Sequence, residues 1–226
     1  MKMYGWSVNV SAKPDRRVRT PKTAMPVSHG LIAGTRVASN FGWRAAEALT
    51  VGDKVLTFDN GVQPIVDIQR TTIWTEGTEV APGFWPVVIP AGALGNAQDV
   101  TLLPDQGVML ESDAASDPLG DPFAVVPAQA LEGLCGIHRS PPLHPVELIT
   151  FYFARDEVIY IDGGLLIHCP RGVVLLQDMM APSEVLYDVM SAEHARDILR
   201  DSEVARQALV QSGGYVFGAT EMVLVA

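Results

Sequence analysis

Five histidines and two cysteines carry most of the chemistry open to this chain. The densest grouping is Cys135-Gly-Ile-His138, followed by His144 and then His168-Cys169. Cys-x-x-His is a zinc-ligand spacing, and four such donors converging would suit a tetrahedral metal site. Against that, a single Cys-x-x-His is common, and free cysteine usually packs as a small apolar residue. Arg139-Ser-Pro-Pro-Leu-His144 also reads as a loop. No metal and no cofactor is therefore assigned, and Cys135, His138, His144 and Cys169 stand as the metal candidates. Ser28-His29 sets a hydroxyl beside a base, the ingredients of an activated nucleophile. Neighbours in an extended segment point to opposite sides, so a polar loop is the simpler reading. Asp53, Asp59, Asp99 and Asp105 fall in turn segments, where aspartate closes Asx-type turns. There is no Gly-rich phosphate loop and no Gly-x-Ser-x-Gly elbow.

The elements that would position these residues are short. Arg36-Val-Ala-Ser reads as a strand, Asn40-Phe-Gly42 as a turn, and Ala45 to Leu49 as one helical turn. Val55 to Phe58 is a strand, and Asn60-Gly61 after it predicts a tight type I′ hairpin. The returning strand, Val62 to Ile68, contains Pro64, which cannot donate to a ladder and so predicts an edge or a bulge. Further strands are expected at 84–89, 107–110, 123–126, 147–152, 157–161 and 173–176, with a polar loop at 112–121. Ser191 can cap a helix bearing Ala195, Ile198 and Leu199 on one face, and Ser202 a second one. The reading is an all-β body at 27–182, a basic arm at 1–26, and a small α+β appendage at 183–226.

Charge and composition narrow the function classes. The net charge of −10 argues against nucleic-acid binding, which needs a basic face. Residues 1–25 hold six cations against Asp15 alone, so this arm is +5 and the remainder −15. A solvated tail is the plain reading; an electrostatic contact with an acidic partner, or with the chain's own body, is the functional one. No apolar stretch follows the arm's charges as in a signal peptide, and no run is long enough to span a membrane. A cytoplasmic location is expected, with signal-independent secretion left open. Two cysteines are too few for a disulfide framework, although one bridge between them is conceivable.

Gly30-Leu-Ile-Ala-Gly34-Thr35 through Ile65 resembles the opening of the Hint domain, the hedgehog/intein self-processing module, where Cys-Phe-x-x-Gly-Thr begins the domain. Leu49-Thr-Val-Gly-Asp-Lys-Val-Leu-Thr57 resembles the family's Gly-Asp hairpin, and Gly61-Val-Gln-Pro-Ile65 a strand of its bacterial subgroup. Pro90-Ala-Gly-Ala-Leu-Gly95 and Asp156-Glu-Val-Ile-Tyr-Ile-Asp-Gly163 are similar to two further blocks of that subgroup, in the same order. The resemblance implies a horseshoe of curved short strands.

It also implies where the chemistry would sit. In the family a Cys or Ser attacks the carbonyl just before it, exchanging an amide for an ester or thioester. A His in Ser-Pro-x-His then protonates the departing nitrogen. Matched through Gly34-Thr35, the nucleophile position is Gly30; the Ser-Pro-x-His position reads Leu103-Pro104-Asp105-Gln106, and a third His position is Asp156. Gln106 can hydrogen-bond but not transfer a proton near neutral pH. Ile167-His168-Cys169 resembles an intein's C-terminal Val-His-Asn before Cys, without the Asn that must cyclise. The expectation is a pseudoenzyme: a scaffold with an unidentified protein or peptide partner, no nucleic acid, no membrane, and cleft residues Thr35, Gln106, Asp156 and His168. The alternatives are an autoprocessing domain with a non-standard nucleophile and a metal-binding module.

Overall fold

Short β-branched and aromatic runs punctuated by turns build antiparallel sheets here, as their spacing predicts. The computed structural model describes residues 28–75, 79–111, 122–171 and 187–200. Its strands are β1 (Leu31–Ile32), β2 (Arg36–Ser39), β3 (Gly42–Ala45), β4 (Lys54–Leu56), β5 (Val62–Pro64), β6 (Asp67–Ile73) and β7 (Val87–Ile89). There follow β8 (Val100–Leu102), β9 (Gly107–Glu111), β10 (Phe123–Pro127), β11 (His138–Arg139), β12 (Val146–Tyr152), β13 (Glu157–Ile161) and β14 (Leu165–Cys169). They curl into two sheets. One runs β11-β7-β8-β1-β12-β6; the other runs β10-β9-β14-β13-β2-β4-β5, with β3 on β2. The all-β, curved-strand expectation holds.

The two sheets bury one core between them. Strand alternation sets which side chains enter it: Leu165, Ile167 and Cys169 of β14 face the main core, while Leu166 packs with Met109, Val125 and Val158 on the other side. Phe151 and Phe153 are the largest side chains fully withdrawn from water, each contributing about 1.5–3 kcal/mol by burial.

The β4–β5 turn is wider than the type I′ turn that Asn60-Gly61 predicts. Leu56 pairs with Val62, and the Thr57 N–H donates to the Gly61 carbonyl at 2.7 Å. Gly61 takes φ +65°, but Asn60 does not join it at positive φ. Instead the Asn60 Nδ2 donates to Glu157 at 3.0 Å, and the Gln63 side chain donates to the Asn60 carbonyl at 2.6 Å. A tertiary bond to β13 has overridden the local preference. Pro64 behaves as expected: it ends β5 at the end of its sheet. The chain then changes sheets at Ile65-Val66, with the Ile65 N–H on Asp53 and the Val66 N–H on Tyr152.

Residues 187–200 belong to the body. Val189 forms a parallel bridge with Val125, and the Met190 N–H donates to the Val125 carbonyl at 2.9 Å. The Ser191 hydroxyl caps the following helix, α1 (192–200), by accepting the His194 N–H at 3.3 Å. Ala195 of α1 is fully buried in the main core. The described part of the expected appendage is thus a component of that core. The basic arm, the loop at 112–121, the strand at 173–176 and the helix after Ser202 lie outside the described residues. No described helix is long and apolar enough to cross a membrane.

Candidate functional site

The site begins where residue 30 passes between the sheets. β1 pairs with both β8 and β12, Leu31 standing opposite Leu102 and Ile149, which fixes residue 30 beside Thr150. A turn at 103–106, closed by the Gln106 N–H on the Leu103 carbonyl, delivers Gln106 to the start of β9. β14 runs alongside β9 and brings His168 to the same place. Gly107 permits that approach, because a Cβ there would lie 2.9 Å from His168 Cβ and from Val125 Cγ1.

Around the 29–30 peptide bond these elements form a bracket. The Gly30 N–H donates to Gln106 Oε1 at 2.8 Å. Gln106 Nε2 donates in turn to the His168 carbonyl at 2.8 Å and the Gly107 carbonyl at 3.2 Å. On the other side of the bond, Thr150 Oγ1 lies 3.3 Å from the His29 carbonyl oxygen as a long hydrogen bond. Gln106 is 1% exposed, so its three bonds satisfy groups that water does not reach.

Gly30 itself has φ +139°, a conformation that favours glycine. A Cβ built on it would lie 2.9 Å from Leu148 Cγ, 2.9 Å from Thr150 Oγ1 and 3.2 Å from the Ile149 carbonyl. The space that a side chain at residue 30 would occupy is filled by β12. What remains is a cavity of about 10 Å³, lined by His29, Gln106, Thr150, His168 and neighbouring apolar residues. That is the size of about one water.

Of the expected cleft residues, Gln106 and His168 line this cavity, whereas Thr35 and Asp156 do not. Thr35 serves a turn, its N–H on Ile32 and its carbonyl accepting the Ala46 N–H. Asp156 accepts the Arg171 N–H at 2.5 Å and acts on His168 through its charge. Burial pushes the His168 imidazole below its ordinary value of 6.5; Asp156 opposes this and His29 adds to it. Burial lowers His29 as well.

Ser28 Oγ and His29 Nδ1 lie 3.2 Å apart, so the two neighbours do meet, contrary to the expectation for an extended segment. The metal candidates do not come together. Cys135 and His138 are exposed, with His138 Nδ1 on the Gly136 carbonyl, while Cys169 is buried with its thiol pushed up to about 12. Among the described residues no group of three or more His, Cys, Asp or Glu side chains is placed to hold a metal. The Asx-turn reading fits Asp53, whose Oδ2 accepts the Thr50 N–H at 2.8 Å. Asp59 differs: it takes the hydroxyl of Tyr187, whose ring meets His168 edge-on. Thr150 and Tyr187 carry no spacing signal in the sequence; only the fold brings them here.

A profile of the Hint domain family matches residues 29–168, more than half of the chain. The chain belongs to the Hint domain family. The match begins at His29 and ends at His168, so it spans the bracket from one imidazole to the other. Among solved structures, a bacterial intein-like domain from Clostridium thermocellum is similar at 14% identity, with a TM-score of 0.43, over 62% of this chain and 98% of that one. The gp41-1 intein is similar at 14% identity, with a TM-score of 0.37, over 64% of this chain and all of that one. Comparison with curated proteins gives no match.

Proposed function

We propose that this Hint domain has lost self-cleavage and persists as a binding or structural scaffold. The observation that carries the reading is the state of the 29–30 peptide bond. An acyl shift needs a nucleophile at residue 30 and a proton for the departing nitrogen. Residue 30 is a glycine whose Cβ direction is closed by Leu148 and Thr150. Its nitrogen faces the carbonyl end of Gln106, an acceptor, and the amide hydrogens of Gln106 are committed to His168 and Gly107. The group facing the leaving nitrogen therefore takes a hydrogen bond where the reaction requires it to give a proton. The cavity, at about 10 Å³, has no room for a peptide or cofactor, so a partner would use the outer surface.

A second reading has one observation in its favour. The Ser28 Oγ to His29 Nδ1 contact is a nucleophile–base geometry, and would direct attack at the Val27–Ser28 bond. Intact-mass measurement of the wild type and of Ser28→Ala separates the two. Lost self-cleavage gives full-length chain in both. A truncated species in the wild type that disappears in Ser28→Ala would establish Ser28 as the nucleophile and overturn the first reading.

A further inference from the structure

His29 and His168 have a feature that the bracket does not explain. Both line the same cavity, and each has an Nε2 shielded from solvent with no hydrogen-bond partner. Leaving a buried polar nitrogen unmet costs about 1–3 kcal/mol, so two at one place call for a partner. Cys169 also lines the cavity, but its buried thiol is only a weak donor, and the rest of the surroundings supply none. Leu31, Ile149, Phe151 and Ile167 are apolar. The Thr150 hydroxyl is directed at the His29 carbonyl, and the Gln106 amide at the His168 and Gly107 carbonyls.

We propose that one buried water bridges His29 Nε2 and His168 Nε2, and that this pair of neutral imidazoles forms a proton-sensitive clamp fastening residues 28–30 to β14. The stoichiometry is the chemical reason: with each imidazole carrying its proton on Nδ1, the two Nε2 atoms are two acceptors for the two hydrogens of one water. The cavity holds about one such molecule. Ser28 Oγ can accept from His29 Nδ1–H, a tautomer that leaves the His29 Nε2 as acceptor. Cys169 lines the cavity too, but among the described residues no three ligating side chains are placed to hold a metal ion.

Acid works against the clamp. A first proton places a charge among apolar walls, and a second sets two like charges around one water. The groups facing the pair are few. His29 meets Ser28 and the edge of Tyr152; His168 meets the ring of Tyr187 and the charge of Asp156; the Cys169 thiol, kept neutral by burial, lines the same cavity. Only Asp156 favours a cation, and burial outweighs it. The inference goes beyond lost cleavage, and cleavage by Ser28 with His29 Nδ1 as its base would overturn it, because that tautomer makes Nε2 a donor.

The test is amide hydrogen exchange at Gly30, whose N–H sits in the bracket, in the intact chain at pH 7.5 and pH 5.0, corrected for intrinsic exchange. The clamp requires protection to fall by about threefold or more at pH 5.0. That fall should shrink in His168→Leu, which removes one acceptor, and in His29→Leu, which serves if the first variant folds poorly. A high-resolution crystal structure at neutral pH should place one water within hydrogen-bond reach of both Nε2 atoms. Equal Gly30 protection at the two pH values in the wild type, or a stoichiometric metal ion between the imidazoles, would overturn the proposal. Cleavage is read by mass and the clamp by exchange, so failure of one is distinguishable from failure of the other.

Discussion

At the scale of single residues, Gly30 and Gln106 decide what the site can do. A side chain at Gly30 meets two penalties, positive φ and contact at 2.9 Å with Leu148 and Thr150. Gly30→Ala should therefore cost about 2–4 kcal/mol in urea denaturation, combining left-handed backbone strain with overpacking. For the same reason Gly30→Cys with Gln106→His should not restore cleavage; efficient cleavage in that double variant would show that only two side chains separate the chain from activity. Thiol labelling tests another residue-scale contrast. Cys169 is buried with its thiol held near 12, while Cys135 is exposed. In the native protein one thiol should react with iodoacetamide at pH 8, and in denaturant two.

The histidines set a pH dependence with a definite sign. Burial lowers both His29 and His168 below 6.5, so between the folded and unfolded values the unfolded chain binds more protons. Stability should be complete above about pH 6.5 and fall progressively below it. Urea midpoints at pH 7.5, 6.0 and 5.0 check this; midpoints that hold steady or rise toward acid would contradict it. In His168→Leu the slope should be shallower, because one of the two contributing groups is gone.

At the scale of elements, what the sequence disclosed depended on whether the cause was local. Gly-Asp and Pro64 act through backbone rules, so the Asp53 turn and the end of β5 were legible. The Asn60-Gly61 turn was misread because Glu157, almost a hundred residues away, claims the Asn60 side chain. β8 and β14 are not marked in the sequence reading; each pairs with the strand before it, β7 and β13, and is held on its other side by a distant strand, β1 and β9. The site divided the same way. Gln106 and Gly30 were found through their place in a family pattern, whereas Thr150 and Tyr187 reach it only through strand pairing and the return of the chain at 187. That return is open to a direct check. Ala195 of α1 is fully buried, so Ala195→Asp should lower stability by about 3–5 kcal/mol, the cost of an unpaired buried charge. A loss under about 0.5 kcal/mol, typical of surface sites, would place α1 off the core.

At the scale of the whole molecule, the chain belongs to the Hint domain family, and the proposed loss of cleavage rests on how the 29–30 bond is held. Two sheets meet at residues 29–30, one side chain holds the peptide nitrogen, another approaches the carbonyl oxygen, and Leu148 and Thr150 fill the space beside Gly30. The measurement that tests this most directly is the intact mass of the purified chain after prolonged incubation at neutral pH, with and without added thiol. A single species at 24.3 kDa in both conditions is the expected result. Release of the N-terminal segment at the His29–Gly30 bond would contradict the account.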